Sequence, residues 1–306
     1  MRHIIALAGP AIAAALLLPA TSAKAAETWV SGRGADTGTC TNAAPCKTFA
    51  YALTRTPAGG TINVLSPGNF GPVVINKAVS IVADGVEAVI NATINGSGIS
   101  VAVAAAQTVS LRGLTINMMG LNNDGIEFKS GGALHVKNCV VRNGRAGVAV
   151  RTPSGNQEIY ISDTVFFHMD NGLMVSPTGS AKVVIERARA EGGTTGFWLN
   201  GAASSGAITA TIRDSIATGN AQVGILTEDD GSGSTTVMID HVVAANNQIG
   251  IRIGTGSTAR FGNSTVAGNS VGVHGNGGTM ESYGTNKVDG NSILDVSGAF
   301  VPVSMQ

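Results

Sequence analysis

Residues 136–150 read VKNCVVRNGRAGVAV, and residues 161–175 read ISDTVFFHMDNGLMV. Aligned, the two stretches place Val136 with Ile161, Cys139 with Thr164, Val141 with Phe166, Val148 with Leu173, and Val150 with Val175. Within each, apolar residues alternate with period two and change parity at Asn138 and Asp163, as short strands separated by tight turns require. A later stretch repeats the set as Ile239, Val242, Ala244, Ile251 and Ile253. Working outward, a glycine followed by an apolar residue recurs at Gly125, Gly147, Gly172, Gly196, Gly224, Gly250 and Gly272, in steps of 22, 25, 24, 28, 26 and 22 residues. Turn-forming residues recur at one offset, at Asn138, Asp163, Asp214 and Asn263. These residue types tolerate left-handed backbone and hydrogen-bond locally.

A unit this short cannot bury its apolar side alone, so it must stack on its neighbours. Three short strands per unit of about 22 or more residues describe a parallel β-helix, and parallel crossovers are right-handed. The chain is therefore expected to be all-β, a single-stranded right-handed parallel β-helix solenoid of about nine or ten coils over residues 71–297. Residues 26–70 are expected to form an N-terminal cap segment with a short helix that buries Phe49, Ala52 and Leu53. Residues 298–306 are expected to form a C-terminal tail, simple or ending in a final covering strand. The 306 residues include 42 glycines, 4% aromatics and 12% charged residues, a composition suited to tight turns and small buried side chains.

Residues 1–25 combine basic Arg2, an apolar run from Ile4 to Leu18 and the small-x-small site Ala23-Lys24-Ala25. They predict a secretory signal peptide and a secreted chain, extracellular, at the cell surface or periplasmic. The remainder would carry 17 basic and 19 acidic residues, which predicts no nucleic-acid partner. It contains no apolar run long enough to span a membrane, and a monomer is expected. In an oxidising compartment Cys40 and Cys46 are placed to form a disulfide, and Cys139 is expected to be a buried free thiol.

The run CKTFAYALTRTPAGGTINVLSPGNF, residues 46–70, resembles the opening segment of right-handed parallel β-helix proteins of the pectin lyase-like superfamily. There a threonine-led helix precedes a G-x-T-I-x-V strand and a P-G-x-aromatic turn. The resemblance implies the same fold, but that superfamily includes lyases, hydrolases, esterases, epimerases and non-catalytic surface proteins. Asn122-Asn123-Asp124-Gly125-Ile126-Glu127 resembles the N-x-D-G-I segment of polygalacturonases, which makes Asp124 a catalytic candidate. The next coil has Asn143-Gly144-Arg145-Ala146-Gly147 where that family carries paired aspartates, so Asp124 also reads as an Asp-Gly turn residue. Arg151-Thr152-Pro153-Ser154-Gly155-Asn156 resembles the R-x-P-x-x-R segment of pectate lyases, with Asn156 replacing the second arginine. Met238-Ile239-Asp240-His241 is similar to their W-I-D-H segment but follows the arginine motif instead of preceding it.

Glu228, Asp229 and Asp230 form an acidic loop whose oxygens suit calcium, although three adjacent acids also describe a solvated loop. No other cofactor is indicated. His135, His168, His241 and His274 fall at different offsets, which gives no zinc or triad pattern. The outward position two residues after each repeated glycine holds Glu127, Ala149, Met174, Trp198, Leu226, Arg252 and His274. Met174, Trp198 and Leu226 are expected to form an exposed apolar strip bordered by Arg252 and His274, suited to stacking against a sugar ring or an apolar partner. The expectation is a secreted or cell-surface protein that binds a polysaccharide or another surface partner. The alternative is a polysaccharide lyase or glycoside hydrolase with an atypical active site.

Overall fold

The computed structural model describes residues 26–92, 96–152 and 155–304. The expected signal peptide, residues 1–25, lies outside the described residues. The chain winds as a right-handed parallel β-helix. A typical coil gives one strand to a 12-stranded sheet, such as Ala207–Arg213, and two to an 18-stranded sheet, such as Ile216–Thr218 and Val223–Glu228. Every ladder between these strands is parallel, and equivalent residues of successive coils face each other in register, as in Val136↔Ile161↔Ile185↔Ile212↔Ile239↔Phe261. About nine coils are complete.

The ladders extend beyond the expected bounds of 71–297. Glu27–Ser31 pairs with Gly60–Ser66, which pairs in turn with Val79–Val82, so the solenoid's first sheet begins inside the 26–70 segment. At the other end Phe300–Pro302 pairs with Thr279–Ser282, so part of the 298–306 tail is a final strand. Both extensions follow from an edge strand's unpaired N–H and C=O groups, which recruit the adjoining chain.

The inward sets are buried as the alternation requires, from Val136, Cys139, Val141, Val148 and Val150 to Ile239, Val242, Ala244, Ile251 and Ile253. The repeated glycine has a steric cause. A Cβ at Gly147 would lie 2.4 Å from the carbonyl oxygen of Gly172, one at Gly172 2.6 Å from that of Gly196, and one at Gly196 2.4 Å from that of Gly224. Only glycine allows successive coils to approach this closely. The turn column is left-handed at Asn138, Asp163, Asp214 and Asn263, with φ between 48° and 51°. Arg187 and His241 adopt the same conformation in the same column, at φ 48° and 51°. Stacking between coils imposes the turn even on Arg187, a residue type that does not favour it.

The helix spans Phe49–Arg55 and buries Phe49, Ala52 and Leu53. Thr48 caps it, its side chain accepting from the Tyr51 N–H at 3.1 Å, and Phe49 packs on Phe70 with ring centroids 4.9 Å apart. This covers the first coil and its open apolar core. A disulfide joins Cys40 to Cys46 beside it. Cys139 is free and buried, and burial pushes its thiol up to about 11.

In the last coils the corner of the core becomes polar. Asn220 donates from both its backbone N–H and Nδ2 to Asn247 Oδ1, at 2.9 Å each. Asn247 donates likewise to Asn269 Oδ1, and Asn269 to Asn291 Oδ1. Asp295 Oδ1 closes the ladder by accepting both donors of Asn291. The remaining Nδ2 protons go to carbonyls such as those of Ala190, Ala217 and Ala244. Each buried amide is thereby satisfied, as a core position requires.

Candidate ligand-binding face

The outward column is continuous. The ladders pair Ser100↔Glu127↔Ala149↔Met174↔Trp198↔Leu226↔Arg252↔His274↔Ser297. Inward neighbours fix the direction of these side chains: Phe197 and Leu199, on either side of Trp198, are fully buried. Successive members stand about 4.8 Å apart. The column divides into a charged end and an apolar end.

At the charged end Asp124 is buried, with its carboxylate fully out of solvent. Arg145 grips it with two bonds, Nε to Oδ1 at 2.9 Å and Nη2 to Oδ2 at 2.7 Å. Arg151 Nη1 donates to the same Oδ2. Burial alone would raise the Asp124 pKa. The hydrogen bonds and positive charges of Arg145 and Arg151 outweigh burial and hold it below the usual carboxylate range. Glu127, in the column itself, accepts from Ser97 Oγ at 2.9 Å and pairs with Lys129 at 3.2 Å and Arg151 at 3.8 Å.

The two catalytic candidates, Asp124 and Arg151, therefore come together as an ion pair. A carboxylate out of solvent and held ionised by two guanidinium groups has no proton to donate, an arrangement that suits the turn-residue reading of Asp124 better than that of a general acid. Arg151 is shared between Asp124 and Glu127.

At the apolar end Met174 and Trp198 are half-buried. The indole Nε1 of Trp198 donates to Glu228 Oε1 at 3.0 Å, which fixes the ring across the strand. Leu226, expected to be exposed, is 8% exposed. The longer side chains of Trp198 and Arg252 stand on the adjoining rungs, so the apolar strip is narrower than the sequence indicates. Arg252 and His274 continue the column, both half-buried. Arg252 forms no ion pair among the described residues, and its Nε has no hydrogen-bond partner.

The three acids of the loop do not converge. Glu228 faces outward to Trp198, Asp229 turns inward at 3% exposure, and Asp230 is exposed. Among the described residues no group of three or more His, Cys, Asp or Glu side chains is placed to hold a metal ion. Glu228 ends its strand with an outward side chain, and Asp229 and Asp230 follow beyond the strand's end.

Sequence reasoning passed over a groove of about 320 Å³ lined by Gly120, Leu121, Asn122, Asn143, Gly144, His168 and Asp170. His168 stacks on Phe167 with centroids 3.9 Å apart. Met119, Asn143 and His168, in and beside this groove, all have positive φ.

A family model described as "Right handed beta helix region" matches residues 78–237, more than half of the chain. The chain belongs to this family. No curated protein matches it. Among solved structures, this right-handed β-helix resembles a GH136 lacto-N-biosidase from Eubacterium ramulus, with 12% identity and a TM-score of 0.52 over 92% of this chain and 67% of that one. It is also similar to pectate lyase Pel9A, at 15% identity and a TM-score of 0.49 over 85% of this chain and 80% of that one. A third is the A-module of the Azotobacter vinelandii mannuronan C-5 epimerase AlgE4, at 13% identity and a TM-score of 0.43 over 83% and 90%. At such identities the likeness is one of fold. Among the described residues no helix is long and apolar enough to cross a membrane.

Proposed function

We propose that this β-helix protein is exported and binds a glycan along its outward column, with Trp198 as the stacking platform. The observation that carries the reading is the half-buried indole of Trp198, held edge-on by Glu228 between Met174 and Leu226. An aromatic face fixed on a rigid sheet loses little entropy on meeting a sugar ring, and the adjoining unpaired Arg252 supplies donors for hydroxyl or acidic substituents. The signal-like residues 1–25 support export. The solved structures it resembles include proteins named for acting on carbohydrates, which is consistent with a saccharide ligand. The test is a calorimetric screen of neutral and acidic oligosaccharides against the chain lacking residues 1–25, with and without calcium. Saturable binding that is lost in Trp198→Ala supports the reading, and no binding across the panel removes it.

A second reading, a polysaccharide lyase or hydrolase, is favoured by the polar groove, where His168 and Asp170 line one cleft with Asn122 and Asn143. Neither the His168 nor the Asp170 side chain is hydrogen-bonded among the described residues, so both are open to a ligand in the cleft. New reducing ends or unsaturated products from any polysaccharide in the panel, abolished by His168→Ala, would establish it over binding alone.

A further inference from the structure

Asp229 lies one residue beyond the outward Glu228, and its carboxylate enters the solenoid. Two neutral donors meet it: the Gly231 N–H donates to Oδ1 at 3.3 Å and Thr235 Oγ1 to Oδ2 at 3.1 Å. It forms no ion pair among the described residues. A buried ionised carboxylate is strongly unfavourable unless positive charge balances it.

The same corner holds two hydroxyls without a partner, Ser257 Oγ and Thr227 Oγ1, on residues that are 2% and 0% exposed. Ser257 is the in-register neighbour of Thr235, one rung on. Thr227, on the strand Val223–Glu228, precedes Asp229 by two residues and is buried like it. Gly201 makes room for this corner, since a Cβ there would lie 2.2 Å from Asp229 Oδ2 and 2.7 Å from Thr235 Oγ1. Unfilled lone pairs on buried hydroxyls beside an uncompensated carboxylate describe the coordination shell of a hard cation, with oxygen donors only.

We propose that Asp229, Thr235, Ser257 and Thr227 hold a monovalent cation, sodium or potassium, inside the solenoid. One carboxylate balances one positive charge. A divalent ion would leave an excess charge buried, and neither outward Glu228 nor exposed Asp230 can offset it. The site stands independently of the glycan reading, but it adjoins it, because an ion on Asp229 stiffens the segment from which Glu228 grips Trp198.

The test is a thermal melt in sodium, potassium and choline chloride at matched ionic strength, with calcium and chelator arms. Sodium or potassium should raise the melting temperature over choline by about 2 °C or more, saturably. Asp229→Asn should abolish the rise and melt at or above the wild type in choline, since a neutral amide needs no counter-charge. A merely structural aspartate would not show that reversal. Ser257→Ala, which keeps the carboxylate, should weaken the apparent cation affinity several-fold, so the test survives if Asp229→Asn fails to fold. Asp230→Asn should respond like the wild type. Equal melting in sodium, potassium and choline would overturn the proposal, as would stabilisation by calcium alone that chelator reverses.

Discussion

Two regions of one outward column, the Asp124 end and the Trp198 end, differ in how fully their groups are used. Asp124 carries the motif that most resembles catalytic machinery, yet its carboxylate is consumed by Arg145 and Arg151. Trp198 carries no motif, yet its ring is fixed at one edge and remains partly exposed. The difference teaches that a side chain's availability depends on what stands one rung away. A repeat places those partners more than 20 residues distant in sequence.

The sharpest way to break the contrast is to remove the saturated carboxylate. Asp124→Ala leaves two guanidinium groups without their shared anion and should destabilise by about 3–5 kcal/mol, read as a lowered urea midpoint, while glycan affinity at Trp198 stays within twofold. If activity or binding fell without loss of stability, the Asp124 end would be functional after all. The same carboxylate predicts a pH dependence. Its folded pKa is depressed, so its contribution is fully present above the unfolded value of about 3.9 and is lost as pH falls through the folded value. The stability gap between wild type and Asp124→Asn should therefore be constant at neutral pH and narrow in strong acid. A gap that widens on acidification contradicts the ion pair.

Next in size is the asparagine ladder, the other place where polar groups are fully used. Asn247→Ala removes the acceptor of both Asn220 donors and one of the two donors to Asn269 Oδ1 and should cost on the order of 2–4 kcal/mol. A loss below about 0.5 kcal/mol would show that water replaces the amide. Reducing the Cys40–Cys46 bond should cost about 2 kcal/mol by the loop-closure estimate, and thiol counting on denatured, unreduced protein should find Cys139 alone. The smallest effect belongs to the open end. Glu228→Ala should cost at most about 1 kcal/mol of stability, yet weaken glycan binding severalfold by freeing the indole. Unchanged affinity would mean that Glu228 does not set the ring's orientation.

Much of the fold was legible in the sequence. Inward sets such as Val136/Ile161/Ile239, the clash-enforced glycines and the left-handed Asn138 and Asp163 are local patterns repeated many times. The Asn-x-x-x-Gly spacing at Asn220 and the Asn-x-x-Gly spacings at Asn247 and Asn269 also carried the asparagine ladder, had they been aligned. The outward column was legible for the same reason, since parity fixes direction once inward residues are known. The grip of Arg145 and Arg151 on Asp124 was not, because it depends on register across 21 and 27 residues and on side-chain reach. Leu226 was misjudged for a related reason: its cover comes from Trp198 and Arg252 on neighbouring rungs, which alternation along its own strand does not report.

Glycan binding as proposed requires Trp198 to face the ligand while Phe197 belongs to the core. Phe197→Ala should destabilise by about 3–5 kcal/mol. Trp198→Ala should lose on the order of 1 kcal/mol and abolish binding. In a Trp29→Phe background, Trp198 is the chain's one tryptophan, so its fluorescence reports on that face alone. The account predicts a saturable change in Trp198 emission on titration with the glycan found by screening, together with a Trp198→Ala melt close to that of the parent. A Trp198→Ala variant that melts as low as Phe197→Ala, with emission indifferent to every glycan, would contradict it.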